Sequence, residues 1–293
     1  FGAVSIAYIG MNNVHDAALA SNKVFTLVTV LVIYWLATFI SLKGLGWVSK
    51  ISKIGATVGT IIPAGLLILF GIIYLATGGH NNMDMSQGFF PDLSNFNNLV
   101  LASSIFLFYA GMEMSGIHVM DVKEPASKNY PKAIFIGAII IVVIFILGTL
   151  ALGLIIPAKE INLTQSLLVG FDNYLAYLHI HWASPIIAIA LMFGVLAGVL
   201  TWVAGPSKGI FAVGKAGYLP PFFQKTNKIG VQKNILIIQG CIVTLLALLF
   251  VVMPSVQSFY QMLSQLTVLL YLIMYMLMFT AAITLRYKMS KAD

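Results

Sequence analysis

The sequence predicts an all-α integral membrane protein, and three observations carry that prediction. Of its 293 residues, 60% are hydrophobic and 9% charged, with a mean hydropathy of +0.97. Such values belong to a polytopic membrane chain rather than to a soluble domain wrapped around a core. Seven apolar runs reach the length of about 20 residues that a helix needs to cross hydrocarbon. They lie at about 24–42, 54–77, 98–119, 133–156, 184–204, 234–253 and 260–285, so that 1–293 reads as one transmembrane domain. Charge supplies the third observation. Fourteen of the sixteen basic residues fall between or after these runs on one side: Lys43, Lys50 and Lys53, then Lys123, Lys128 and Lys132, then Lys208, Lys215, Lys225, Lys228 and Lys233, and finally Arg286, Lys288 and Lys291. By the positive-inside rule that side is cytoplasmic, as is the C-terminal end of the sequence. Residues 11–23, 78–97, 157–183 and 254–259 are then outside, with only Lys23 and Lys159 among the bases there. The net charge of +7 therefore orients the chain in a bilayer and does not point to nucleic acid.

Taken in order, Phe1 to Gly10 is apolar but too short to span, and reads as the outer end of a helix rising from inside. Together with the basic end after the last run, it makes the sequence read as a segment of a longer polytopic protein. The runs at 24–42 and 54–77 are plain spans. Gly79 to Asn98, with Asp84, Pro91 and Asp92, reads as an outer loop leading into the third run.

That third run holds Tyr109-Ala110-Gly111-Met112-Glu113-Met114-Ser115-Gly116. An ionised group near the bilayer midplane costs ~2.5–3.5 kcal/mol even on the lenient insertion scale, so Glu113 belongs against protein or a water-filled cavity. No other Asp, Glu, Lys or Arg lies well inside an apolar run. Gly111 and Gly116 flank it, and glycine is poor helix material. The run is therefore expected to be a helix broken near 110–116. Irregular backbone at membrane depth survives only where it is buried or lines a cavity, and its freed N–H and C=O groups can serve a polar ligand. The alternative is that Glu113 pairs with a neighbouring helix and the glycines are close-packing contacts.

Beyond the fourth run, Ile161, Leu167, Leu168, Phe171, Tyr174, Leu175 and Leu178 recur at helical spacing. A helix over about 160–180 is expected across the outer surface, with Glu160, Asn162 and Gln165 marking its start. Two roles stay open for it: a cap over a cavity, or an interfacial anchor. His179 and His181 form an i, i+2 pair, a weak metal signature without a third ligand, and no metal or other cofactor is expected. His118, at the cytoplasmic end of the broken helix, either stabilises a helix terminus or relays protons. The run at 184–204 presents small residues Gly194, Ala197, Gly198 and Gly205, with Trp202 near its end as a belt or cavity residue. Cys241 is the sole cysteine and lies in the sixth run, so no disulfide framework or Cys-based metal site arises. In the last run Tyr271 and Tyr275 are four apart and deep, hence on one face, where buried phenols need partners.

The stretch Phe108-Tyr-Ala-Gly-Met-Glu113-Met-Ser-Gly-Ile-His118-Val, followed by Glu124-Pro-Ala-Ser-Lys-Asn-Tyr-Pro131, resembles the broken sixth helix and following loop of transporters of the amino acid–polyamine–organocation superfamily. Gly194-Val-Leu-Ala-Gly-Val-Leu-Thr-Trp202-Val-Ala-Gly-Pro-Ser-Lys208-Gly, with Tyr271 and Tyr275, resembles most the bacterial glutamate/γ-aminobutyrate antiporters. The resemblance implies a LeuT-like five-plus-five inverted-repeat transporter fold, present here from the end of helix 3 through helix 10 and without the first broken helix. It implies a substrate site at Tyr109, Ala110, Gly111, Met112, Glu113, Gly198, Tyr271 and Tyr275, and a gate at Trp202. Where those antiporters can carry a glutamate, this sequence has Gly198, which makes the cavity less acidic.

The expectation is secondary active transport of amino acids by exchange, with alternating access, in a bacterial inner membrane. The partners implied are an amino-acid substrate (glutamate, γ-aminobutyrate or a relative) and the lipid bilayer, with no nucleic acid. A proton-coupled permease of broader specificity is the alternative in that class. A truncated, non-transporting interaction protein is the alternative outside it. An enzyme is not expected, because no Ser/His/Asp, paired-carboxylate or metal-ligand constellation lies within the runs.

Overall fold

A computed structural model describes residues 22–83, 94–122 and 125–289. Phe1 to Gly10 and most of the outer loop with Asp84, Pro91 and Asp92 lie outside the described residues. The described residues form helices and no strand. In chain order these are α1 (Lys23–Leu42), α2 (Leu45–Ala76, with a π-helical turn at Thr57–Ile61), α3 (Phe96–Tyr109), α4 (Ala126–Ile155), α5 (Ser166–Tyr177), α6 (Ser184–Lys215), α7 (Lys233–Leu248) and α8 (Val256–Met289). A 3-10 stretch, Met112–Asp121, follows α3. Six helices among the described residues are long and apolar enough to cross a membrane, namely α1, α2, α4, α6, α7 and α8. Their outward surfaces are apolar, as on α8, where Met276, Leu277 and Phe279 are exposed. Hydrocarbon tolerates such surfaces because every backbone polar group is satisfied within the helix.

The helices overrun the apolar runs at the lysine-rich end. α2 begins at Leu45, so Lys50 and Lys53 are helical; α4 begins at Ala126 and carries Lys128 and Lys132; α6 continues past Pro206 to Lys215. A count of apolar residues measures hydrocarbon thickness, whereas a helix continues into the headgroup layer wherever long basic side chains can reach water. Lys43 and Lys215 illustrate this, each ammonium lying 4.9 Å from the centre of an aromatic ring, Phe39 and Phe211 respectively.

The π-helical turn has a local cause. Pro63 has no N–H to return to the Gly59 carbonyl, and the ladder shifts so that Ile62 N–H reaches Thr57 O. At this turn α2 crosses α6 backbone to backbone. A Cβ on Gly59 would stand 2.1 Å from Gly194 N, and one on Gly194 would stand 2.3 Å from Gly59 O. The small-residue face of α6 is thus divided: Gly194 and Ala197 meet α2, while a Cβ on Gly198 would meet nothing.

Two cores hold the helices. One joins α1, α2, α6 and α7 through Ala37, Val48, Leu200, Val203 and Leu236. The other joins α2, α4, α5 and α6 through Leu67, Phe70, Tyr74, Ala151, Leu168, Phe171, Tyr174 and Leu191. The apolar face of α5, Leu168, Phe171, Tyr174 and Leu175, is almost fully buried in this second core, so it packs on protein and not on lipid. Tyr174 Oη donates to Ala151 O at 2.6 Å. Burial, with Tyr74 beside it, pushes that phenol up to about 12.

α5 is shorter than the expected 160–180. Asn162 Oδ1 accepts from both Thr164 N and Thr164 Oγ1, and Ser166 Oγ accepts from Asn162 N, so the polar residues build a turn ahead of the helix. α5 ends where His179 takes the left-handed conformation, φ +59°. Ile180 N–H donates to Leu175 O and His179 N–H to Ala176 O, the paired bonds of a Schellman cap.

Candidate functional site

The third apolar run is interrupted as its composition suggested, though at one glycine and not two. α3 closes with Ala110 N–H on Phe106 O, and Gly111 then turns left-handed, φ +106°. From Met112 the chain winds as a 3-10 helix straight through Gly116 to Asp121, so Gly116 does not bound the break. A left-handed φ is natural for glycine and strained for other residues, which is why the α-helix stops at Gly111.

The turn brings Glu113 back over the break. Its Oε2 accepts from Gly111 N–H at 3.0 Å and from Tyr275 Oη at 2.8 Å. Oε1 is buried and has no hydrogen-bond partner among the described residues. Hydrogen bonds to an ionised acceptor are about twice as strong as neutral ones, and the freed N–H of an interrupted helix is a natural donor for one. The carboxylate is therefore held on one oxygen, while the other has no partner among the described residues.

Aromatic rings from two other helices surround this carboxylate. Trp202 of α6 presses on the break, since a Cβ at Gly111 would stand 3.0 Å from Trp202 Cζ2. Its indole meets the Tyr271 ring edge to face at 6.2 Å. Tyr271 lies 5.7 Å from Tyr275, and Tyr275 stacks at 6.2 Å on Phe279. Tyr271 also lies within electrostatic reach of Glu113. Trp202 remains 45% exposed.

The structure thus brings Gly111, Glu113, Trp202, Tyr271 and Tyr275 together. Gly198 lies one turn before Trp202 on α6 and faces open space. Tyr109 turns the other way, its ring edge-on to Phe145 of α4 at 5.8 Å. Ala110 contributes the closing backbone bond of α3, and the Met112 carbonyl accepts from Ser115 Oγ at 2.6 Å. The side chain of His118 lies outside the described residues. Ser115 and Tyr130, joined at 2.9 Å, are additions that the sequence did not single out. The available signal was a hydroxyl two residues after the intramembrane glutamate.

A carboxylate oxygen with no partner among the described residues can accept from an ammonium group, and the aromatic rings beside it can pack on the adjoining methylenes. Six helices among the described residues, long and apolar enough to cross a membrane, place the chain among multi-pass helical membrane proteins. It belongs to the amino acid permease family, whose model matches residues 1–292. Among its relatives is an uncharacterized transporter of Legionella pneumophila, 34% identical over 92% of this chain and 58% of that protein. The glutamate/gamma-aminobutyrate antiporters of two Lactococcus lactis strains, MG1363 (subspecies cremoris) and IL1403 (subspecies lactis), are each 34% identical over 78% of this chain and 46% of their own length. The chain spans about half the length of the curated relatives it matches. Its relatives are transporters and not enzymes.

Proposed function

We propose that this chain forms the central part of an amino-acid exchanger of the glutamate/γ-aminobutyrate type, in a bacterial inner membrane with its lysine-rich ends toward the cytoplasm. The observation that carries the reading is the Glu113 carboxylate, held by Gly111 N–H and Tyr275 Oη on one oxygen and, among the described residues, unpartnered on the other. A zwitterionic amino acid gives up water on entering the membrane, and its ammonium regains a partner at Glu113 Oε1. Trp202, Tyr271 and Tyr275 line the path of its aliphatic portion. Opening and closing to either side is rocking of helix bundles about this point, with Trp202 moving off the Gly111 break as a gate. The similarity to glutamate/gamma-aminobutyrate antiporters supports the substrate class.

The test is counterflow in proteoliposomes made with the intact gene product. Vesicles loaded with glutamate are challenged with labelled glutamate, γ-aminobutyrate, glutamine and basic amino acids. Uptake that requires internal amino acid is the expected result. Uptake into empty vesicles driven by a proton gradient alone would replace exchange with proton-coupled permeation, and no uptake of any label would leave a non-transporting membrane protein.

A further inference from the structure

We propose that Tyr130, acting through Ser115, is a positioning residue for the interrupted helix and ties the start of α4 to the peptide that carries Glu113. This rests on the reading of the Glu113 cluster as a substrate site. The hydrogen bonds have a forced direction. Ser115 Oγ lies 2.6 Å from Met112 O, and a carbonyl can only accept, so the single hydroxyl proton of Ser115 points there. The 2.9 Å contact between Ser115 Oγ and Tyr130 Oη then has Tyr130 as donor. The chain runs from Tyr130 O–H to Ser115 O–H to the Met112 carbonyl, and hydrogen bonds in series polarise and strengthen one another.

Its end point is the Met112–Glu113 peptide. That peptide lies between Gly111, whose N–H holds Glu113 Oε2, and the carboxylate itself. A 3-10 run rarely exceeds three or four residues, because its hydrogen-bond geometry is poor. This one spans ten, Met112–Asp121, and Ser115 and Tyr130 brace its first turn from outside the backbone. Tyr130 belongs to the opening turns of α4, immediately before Pro131, at the lysine-rich end of the molecule. A displacement of α4 there is transmitted through two hydroxyls to the carboxylate.

The experiment uses the intact gene product and four variants: Tyr130→Phe, Ser115→Ala, the double variant, and Ser115→Thr, which keeps the hydroxyl. Loss of one hydrogen bond corresponds to about a five-fold change. Each single removal should raise the KM of counterflow by about that factor, with the maximal rate changed by less than about two-fold. The double variant should be no worse than either single one, because both cut the same chain. Ser115→Thr should stay near wild type. Multiplying effects in the double variant, an unchanged KM, or loss of maximal rate alone would each overturn the proposal.

A second readout needs no transport. In a protein freed of its other cysteines, with Cys241→Ser and Met112→Cys, Tyr130→Phe should speed maleimide labelling of position 112 by at least about three-fold. Unchanged labelling overturns the positioning role even where exchange is intact. Faster labelling in a protein that exchanges nothing would uphold it and reject the functional reading alone.

Discussion

Tyr275 donates its hydroxyl to Glu113 at 2.8 Å across 162 positions of sequence, joining the last helix of the described chain to the break in the third apolar run. Oε2 of the carboxylate then holds two donors, one from backbone and one from side chain, while Oε1 is left open among the described residues. One oxygen is committed to holding the helix break together, and the other is not.

Glu113→Gln keeps the shape and removes the charge. Charge-assisted hydrogen bonds contribute about 1.5–3 kcal/mol, so affinity for amino acids should fall roughly 10- to 100-fold. Membrane insertion should be unaffected. Counterflow at acid and neutral pH, with the amount of protein in the membrane as control, checks this. Unchanged affinity would remove Glu113 from the site.

Tyr275→Phe should weaken exchange more than Tyr271→Phe. The first deletes a hydroxyl that bonds Glu113 at 2.8 Å and leaves the ring against Phe279; the second removes a hydroxyl that also lies within reach of Glu113 but shares no bond that short. A loss of about 1–2 kcal/mol, or about ten-fold in KM, is expected for Tyr275→Phe. Equal kinetics for the two variants would show that the 2.8 Å bond does not matter to the site.

On α6, Gly194 and Gly198 should behave oppositely although they are four residues apart. Gly194→Ala drives a methyl into Gly59 O, backbone against backbone, and should destabilise the protein by an amount typical of overpacking, about 1–3 kcal/mol or more, read as a lower melting temperature in detergent. Gly198→Ala, whose methyl would meet nothing, should leave stability unchanged. Gly198→Glu places there the residue that glutamate/γ-aminobutyrate antiporters can carry and adds a negative charge beside the aromatic rings, so it should change the relative preference for anionic and cationic amino acids. Competition assays with glutamate and a basic amino acid measure the shift, and an unchanged ratio would place Gly198 away from the substrate.

Tyr74 lies near the end of an apolar run, where a tyrosine ordinarily sits at the headgroups and tolerates change. In the structure it is buried, donates to His80 O at 3.0 Å and packs against Tyr174 and Tyr177. Tyr74→Ala should therefore destabilise the fold by about 3–5 kcal/mol, the range for emptying an aromatic site. Tyr74→Phe should cost only about 1 kcal/mol. Thermal unfolding of the purified protein separates the two, and a harmless Tyr74→Ala would contradict the buried core around α5.

Gly111→Ala meets two obstacles at once, a left-handed φ of +106° and the Trp202 indole 3.0 Å from the new methyl. Exchange should fall sharply. Adding Trp202→Leu relieves the clash but not the backbone strain, so recovery should be partial. Full recovery would show that the left-handed turn is dispensable.

The sequence by itself determined the membrane class, the helical character, the interruption near Gly111 and the isolation of Glu113. These come from local quantities: the number of apolar residues in a row, the cost of a charge among them, and the backbone freedom of glycine. The pairing of Tyr271 with Tyr275 was also legible, because helical spacing alone places residues four apart on one face. Only the tertiary structure decided that Tyr275 and not Tyr109 reaches the carboxylate, that Gly194 is crushed against α2 while Gly198 is open, and that α5 buries its apolar face in protein. It also decided that Ser115 spends its proton on Met112 and so makes Tyr130 the donor. Each of these depends on which helix lies beside which. Apolar periodicity says that a face is buried but not what it is buried against, and a hydroxyl in a sequence carries no mark of the partner that will orient its proton.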